Sequence, residues 1–156
     1  MRKVFKLVAV AAMVAAAMAL AADGEKVYQN NCQSCHQPNG MGITGAFPPL
    51  VKVVPEILGK GEDGRKLLIH IVLYGMKGQI TVDGATYNSQ MTAFEKILTD
   101  DAQVAAVLDY IAKAWGNDKL LPKDYKPFSP DEVKAERGKG LSAEKVTEEY
   151  NKLMSK

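Results

Sequence analysis

The five residues Cys32-Gln33-Ser34-Cys35-His36 constrain this chain more than any other feature, because they hold every cysteine in its 156 residues. Two thiols separated by two residues can bond both vinyl groups of one porphyrin. An imidazole directly after the second thiol can then bind the iron from the same side. Other uses of the pair fit less well. A redox dithiol of this spacing wants a βαβ surround, and the flanking sequence carries no such pattern. A tetrahedral zinc site would need both cysteines, His36 and the only other histidine, His70, together. A disulfide between such close cysteines is sterically poor and leaves His36 without a role. The motif predicts one covalent haem c, with Cys32 and Cys35 as thioether residues and His36 as proximal axial ligand.

An iron-bound imidazole needs its other nitrogen fixed, because the acceptor on Nδ1 orients the ring and tunes its basicity. The stiff segment Phe47-Pro48-Pro49-Leu50 offers backbone carbonyls for this. Gly40, Gly42 and Gly45 mark the intervening stretch as an irregular loop. The candidates for the second axial position are Met41, Met76, Met91, Met154 and His70. Met41 follows His36 too closely to cross to the opposite face of the ring. Met154 reads as helix packing and His70 as part of a buried helix ending at Gly75. Met76 is either loop packing or a ligand. Met91 has the best setting: Gln79 to Val82 and Ala85 to Tyr87 read as two strands about an Asp83-Gly84 turn, which would steady the following Asn88–Met91 loop.

Residues 1–21 read as an export signal rather than as fold. Arg2, Lys3 and Lys6 precede an apolar run from Leu7 to Leu20, which closes on Ala19-Leu20-Ala21. The run falls short of the roughly 20 apolar residues that span a bilayer, so cleavage after Ala21 is preferred to a retained membrane anchor. Removing the leader takes away three basic residues and no acidic one, turning a formal +2 into −1. Such a balance excludes a dedicated nucleic-acid binder.

The rest reads as helix. A short helix from Gly24 leads into Cys32. Thr99-Asp100-Asp101 caps an amphipathic helix with Val104, Val107, Leu108, Ile111 and Trp115 along one face. No strand beyond the small hairpin is indicated. Asn117 begins a polar linker; Ser129-Pro130 and Ser142 then each open a helix. The domain organisation is thus a leader (1–21), a haem domain (22–116) and a helical extension (117–156) that packs on the core as a clamp.

The Cys32–His36 motif, the loop ending in Phe47-Pro48-Pro49-Leu50, Met91-Thr92-Ala93-Phe94 and the helix through Trp115 together resemble class I cytochromes c. The likeness is greatest to the small soluble monohaem cytochromes c of thermophilic bacteria with an extended C-terminal tail. Many of these have Pro after the ligand Met, where this chain has Thr92. The resemblance implies a mostly α fold with one small β-hairpin and an extra helical tail. It implies His36 and Met91 as axial ligands, and Pro48 rather than Pro49 as the carbonyl partner of His36. It also implies a monomeric periplasmic electron carrier, not an enzyme, passing electrons from a cytochrome bc-type donor to a terminal oxidase and using no small-molecule substrate. Lys52, Lys60 and Lys77 are candidate docking charges, and Arg65 and Arg137 candidate partners for the haem propionates. The alternative is a haem enzyme or gas sensor with a displaceable sixth ligand.

Overall fold

The apolar spacing that predicts a helix after Asp100 places Val104, Val107, Leu108 and Ile111 on one buried face, and the other helices gather around it. The computed structural model describes residues 24–155. The leader read at residues 1–21 lies outside the described residues. Residues 24–31 form α1 and Gln33–His36 form α2, a single turn at the cysteine motif. The helices α3 (Val53–Leu58), α4 (Glu62–Tyr74) and α5 (Asp101–Lys113) build the core with α1. A 3₁₀ segment, Ala114–Leu120, leads from α5 to the tail helices α6 (Pro130–Glu136) and α7 (Ala143–Met154). No helix among the described residues is long and apolar enough to cross a membrane.

Local chemistry sets the boundaries. Asp100 caps α5 by accepting from the Ala102 N–H. Ser129 and Glu132 close a reciprocal capping box on α6, with Pro130 at its first helical position. Ser142 caps α7 through the Lys145 N–H. The first turn of α4 carries Glu62 and Asp63, the sign that its exposed N–H groups favour.

Two features at the end of α5 depart from the sequence reading. Helix α5 stops at Lys113, and Trp115 leaves the helical stripe with φ +57°, in the left-handed region. Its indole N–H donates to the Pro38 carbonyl at 3.0 Å, while its ring meets Tyr28 and Tyr110 in a three-ring cluster with centroids 5.1–5.7 Å apart. Asn117, read as the start of a polar linker, is buried. Its Oδ1 accepts from the Lys52 N–H, and its Nδ2 donates to the Leu50 and Ile111 carbonyls. A single amide thus joins the proline loop, the end of α5 and the start of the tail.

The hairpin β2 (Ile80–Val82) and β3 (Ala85–Tyr87) turns at Asp83 and Gly84, both with positive φ, as a two-residue hairpin turn requires. A second antiparallel pair was not expected from the sequence. Strand β1 (Met76–Lys77) pairs with β4 (Gln90–Met91), setting Met76 opposite Met91. The stretch read as a loop before Met91 is therefore in part a strand. Helix α7 lies against α4 and β1, and α6 against α5 and α4.

Candidate functional site

Short α2 sets the chemistry of one wall. The His36 N–H donates to the Cys32 carbonyl at 3.0 Å, so one helical turn brings both thiols and the imidazole to the same cleft. His36 is 8% exposed, and its Nδ1 lies 2.9 Å from the Pro48 carbonyl oxygen. A carbonyl only accepts, so Nδ1 carries the proton and Nε2 keeps a lone pair to offer. Burial pushes the imidazole pKa below its usual value, against the opposing pull of the Pro48 carbonyl, which favours a neutral ring able to ligate. Burial, with neighbouring Cys35, pushes the Cys32 thiol up to about 12.

The Pro48 carbonyl is itself held. Ile43 and Phe47 exchange backbone hydrogen bonds at 2.8 Å, and the Gly42 N–H donates to the His36 carbonyl at 3.0 Å. Gly42 has φ +60°, and a Cβ there would stand 2.2 Å from the Phe47 oxygen and 2.6 Å from the Pro48 oxygen. Only glycine lets the two strands of this loop approach so closely.

Met76 and Met91 come from the opposite side of the cleft. Directly opposed residues of an antiparallel pair project to one face, so both belong to the same wall. Gly75, at φ +71°, lets the chain turn there; a Cβ on it would lie 2.3 Å from the Met91 carbonyl oxygen. Beyond Met91, the Phe94 and Glu95 N–H groups donate to the Val72 and Leu73 carbonyls at the end of α4. The Ser89 hydroxyl reaches back to the Ala46 carbonyl at 2.6 Å, joining the Met91 side to the proline loop.

Between these walls lie two adjoining lobes. Both are lined by Cys32, His36, Pro48, Met76, Ile80 and Met91, so they are parts of one cleft. The deeper lobe is walled by aliphatic side chains of α3, α4 and α5, together with Tyr150 of α7. Thiols at the rim, a neutral imidazole on one wall, thioethers on the other and an apolar interior suit a covalent haem c. The structure thus gathers Cys32, Cys35, His36, Pro48 and Met91 in one place.

Other candidates are placed elsewhere. Met41 is more than half exposed, and Met154 packs at the core's edge. Both ring nitrogens of His70 are engaged by carboxylates of the tail, Glu136 and Glu149. Arg65 is taken up by Glu132 and the Lys126 and Pro127 carbonyls, and Arg137 by Asp101 and the Glu95 and Leu98 carbonyls. Neither lines the cleft. The sequence reading missed Tyr150 as a wall of the deeper lobe, since the helix that Ser142 opens does not state what its face meets.

The chain is similar to known proteins. The family profile described as "Cytochrome c" matches residues 21–115. A protein named "Cytochrome c-552" from Thermus thermophilus is 50% identical over 132 residues, covering 85% of this chain and 97% of the relative. A "Gluconate 2-dehydrogenase cytochrome c subunit" from Pantoea cypripedii is 35% identical over 120 residues, 74% of this chain but 26% of the relative.

Proposed function

Because this chain belongs to the cytochrome c family, we propose that it is a periplasmic electron carrier working as a monomer, with His36 and Met91 as axial ligands. The observation that carries this reading is the cleft itself, which sets a carbonyl-oriented imidazole on one wall and a strand-held thioether on the other. Covalently bound haem c supplies reversible one-electron Fe(II)/Fe(III) chemistry there. Cys32 and Cys35 anchor it, and the Pro48 carbonyl fixes the His36 ring. The apolar lining excludes water and keeps the surroundings alike in both oxidation states. The electrons pass between redox proteins, from a cytochrome bc-type donor towards a terminal oxidase, as the resemblance to small monohaem cytochromes c implies. The leader read at residues 1–21 supports export, tested by comparing the N-terminus and fraction of the mature protein.

The sixth ligand decides between carrier and haem enzyme or gas sensor. The second histidine, which could have served as an acid–base group, is bound to the tail through both ring nitrogens. The test is the spectrum of the exported holoprotein and its Met91→Ala variant. A low-spin haem whose sulfur-to-iron charge-transfer band vanishes in the variant, with no carbon monoxide bound by the reduced wild type, supports the closed carrier. A high-spin wild type that binds carbon monoxide at once overturns it.

A further inference from the structure

Strand β1 has two edges. One takes β4, with Met76 opposite Met91 and Lys77 opposite Gln90. The other faces α7. There the Lys77 N–H donates to Thr147 Oγ1 at 3.0 Å, and the same hydroxyl donates to the Ala143 carbonyl at 3.1 Å. One helical turn further on, Asn151 Nδ2 donates to the Gln79 carbonyl at 3.0 Å. Thr147 and Asn151 are four residues apart and share a face of α7. Lys77 Nζ also meets Glu144 of the same helix at 3.0 Å, although that pair is exposed.

We propose that Thr147 and Asn151 are positioning residues for the sixth ligand, holding the strand that holds Met91. The proposal rests on the reading of Met91 as that ligand. A two-residue strand pair is too short to keep its own place. Left alone, β1 would present unpaired N–H and C=O groups on its outer edge. Helix α7 supplies a buried hydroxyl to the Lys77 N–H and an amide to the Gln79 carbonyl, two residues beyond β1, so β1 and the link that leaves it are held from the α7 side and β4 is held through β1. Helix α7 thereby joins the cofactor site even though its residues follow Met91 by more than fifty positions.

This role differs from general stabilisation by the tail, and the difference can be measured. An added ligand binds only the form in which Met91 has left its place, so its apparent affinity tracks the population of that form. Removing one net hydrogen bond from the anchor should raise that population about threefold to tenfold.

The experiment is a titration of the ferric holoprotein with imidazole, read together with the sulfur-to-iron charge-transfer band. Thr147→Val should bind imidazole about threefold to tenfold more tightly and show a weakened band, while Thr147→Ser keeps both near wild type. Asn151→Ala, at an exposed position, should move both readouts in the same direction and carries the test if Thr147→Val fails to fold. Ser129→Ala removes the cap of α6, which packs on α5 and α4; it should lower the unfolding midpoint and leave imidazole affinity unchanged. Unmoved affinity in both anchor variants, or an equal shift in Ser129→Ala, overturns the positioning role while Met91 stands. A wild type without the band overturns Met91 as ligand and the positioning with it.

Discussion

His70 Nε2 lies 2.6 Å from Glu136 Oε2, and its Nδ1 lies 2.8 Å from Glu149 Oε2, so one side chain of α4 is clasped by a carboxylate from each tail helix. Lys139 Nζ stands 2.5 Å from the same Glu136 oxygen, and the Tyr74 hydroxyl donates to the Glu136 carbonyl at 2.6 Å. Glu136 is 6% exposed, which makes the clasp a buried junction between tail and core. Burying a carboxylate is costly unless it is paired, and here the Lys139 ammonium and a hydrogen bond with the His70 ring offset that cost.

The clasp should make stability depend on acid. Burial pushes the Glu136 pKa up, but hydrogen bonds from Lys139 and His70 outweigh it and hold the carboxyl below its usual range. A carboxyl with a lower pKa folded than unfolded adds stability above its unfolded pKa, about 4.3, and loses it as pH falls through the folded value. Glu136→Gln should therefore cost about 2 kcal/mol at pH 7, roughly 4–8 °C in the unfolding midpoint of the holoprotein. That gap should close as the pH drops below about 4. Melting curves of both proteins between pH 7 and pH 3 check this, and a gap that stays constant across the range contradicts it.

Gly42 should act on the cofactor without touching it. Alanine there places a Cβ 2.6 Å from the Pro48 oxygen, so that carbonyl cannot keep its place and its bond with His36 Nδ1 is disturbed. A weaker acceptor makes the imidazole a poorer donor to iron, which favours the reduced state. The midpoint potential of Gly42→Ala should rise by some tens of millivolts, below the roughly 59 mV that marks a tenfold change for one electron. A potential equal to wild type, in a variant that still folds, would mean the Pro48 carbonyl does not tune the ligand.

What the sequence made legible was local. Cys32 to His36 is a contiguous chemical unit, so its purpose can be read without a fold. Asp100, Ser129 and Ser142 are caps whose partners lie within three residues, and the Asp83-Gly84 turn likewise states its own backbone. The β1–β4 pair escaped notice because two residues carry no periodicity. His70 and its carboxylates are separated by 66 and 79 residues, a pairing that no spacing rule connects. Asn117 was legible only as polar, since nothing local says that one amide will meet three backbone groups at once.

Met76 is the sharpest remaining rival at the iron, since it faces Met91 across the pair and is the more buried of the two. The cytochrome c resemblance implies a ligand in the Met91-Thr92-Ala93-Phe94 segment, which leaves packing as the role of Met76. Met76→Leu nearly conserves volume and should cost less than about 1.5 kcal/mol while leaving the sulfur-to-iron band intact. Loss of the band in Met76→Leu, and its survival in Met91→Leu, would exchange their roles.

Arg137 shows how the tail grips the Met91 side of the molecule. Its Nε donates to Asp101 at 2.6 Å, and its two terminal nitrogens to the Glu95 and Leu98 carbonyls at 2.8 Å each. These carbonyls belong to the segment between Met91 and α5, and the next residue, Gly138, adds its N–H to the Glu95 side chain at 3.0 Å. A lysine keeps the charge but has one nitrogen where the guanidinium presents a planar fork. Arg137→Lys should therefore lose about 2 kcal/mol of stability in denaturant unfolding, because carbonyls that the fork satisfied lose their donors. If charge alone held the tail here, Arg137→Lys would match wild type and Arg137→Met would bear the whole loss. If the fork is what matters, the two variants should fall within about 1 kcal/mol of each other.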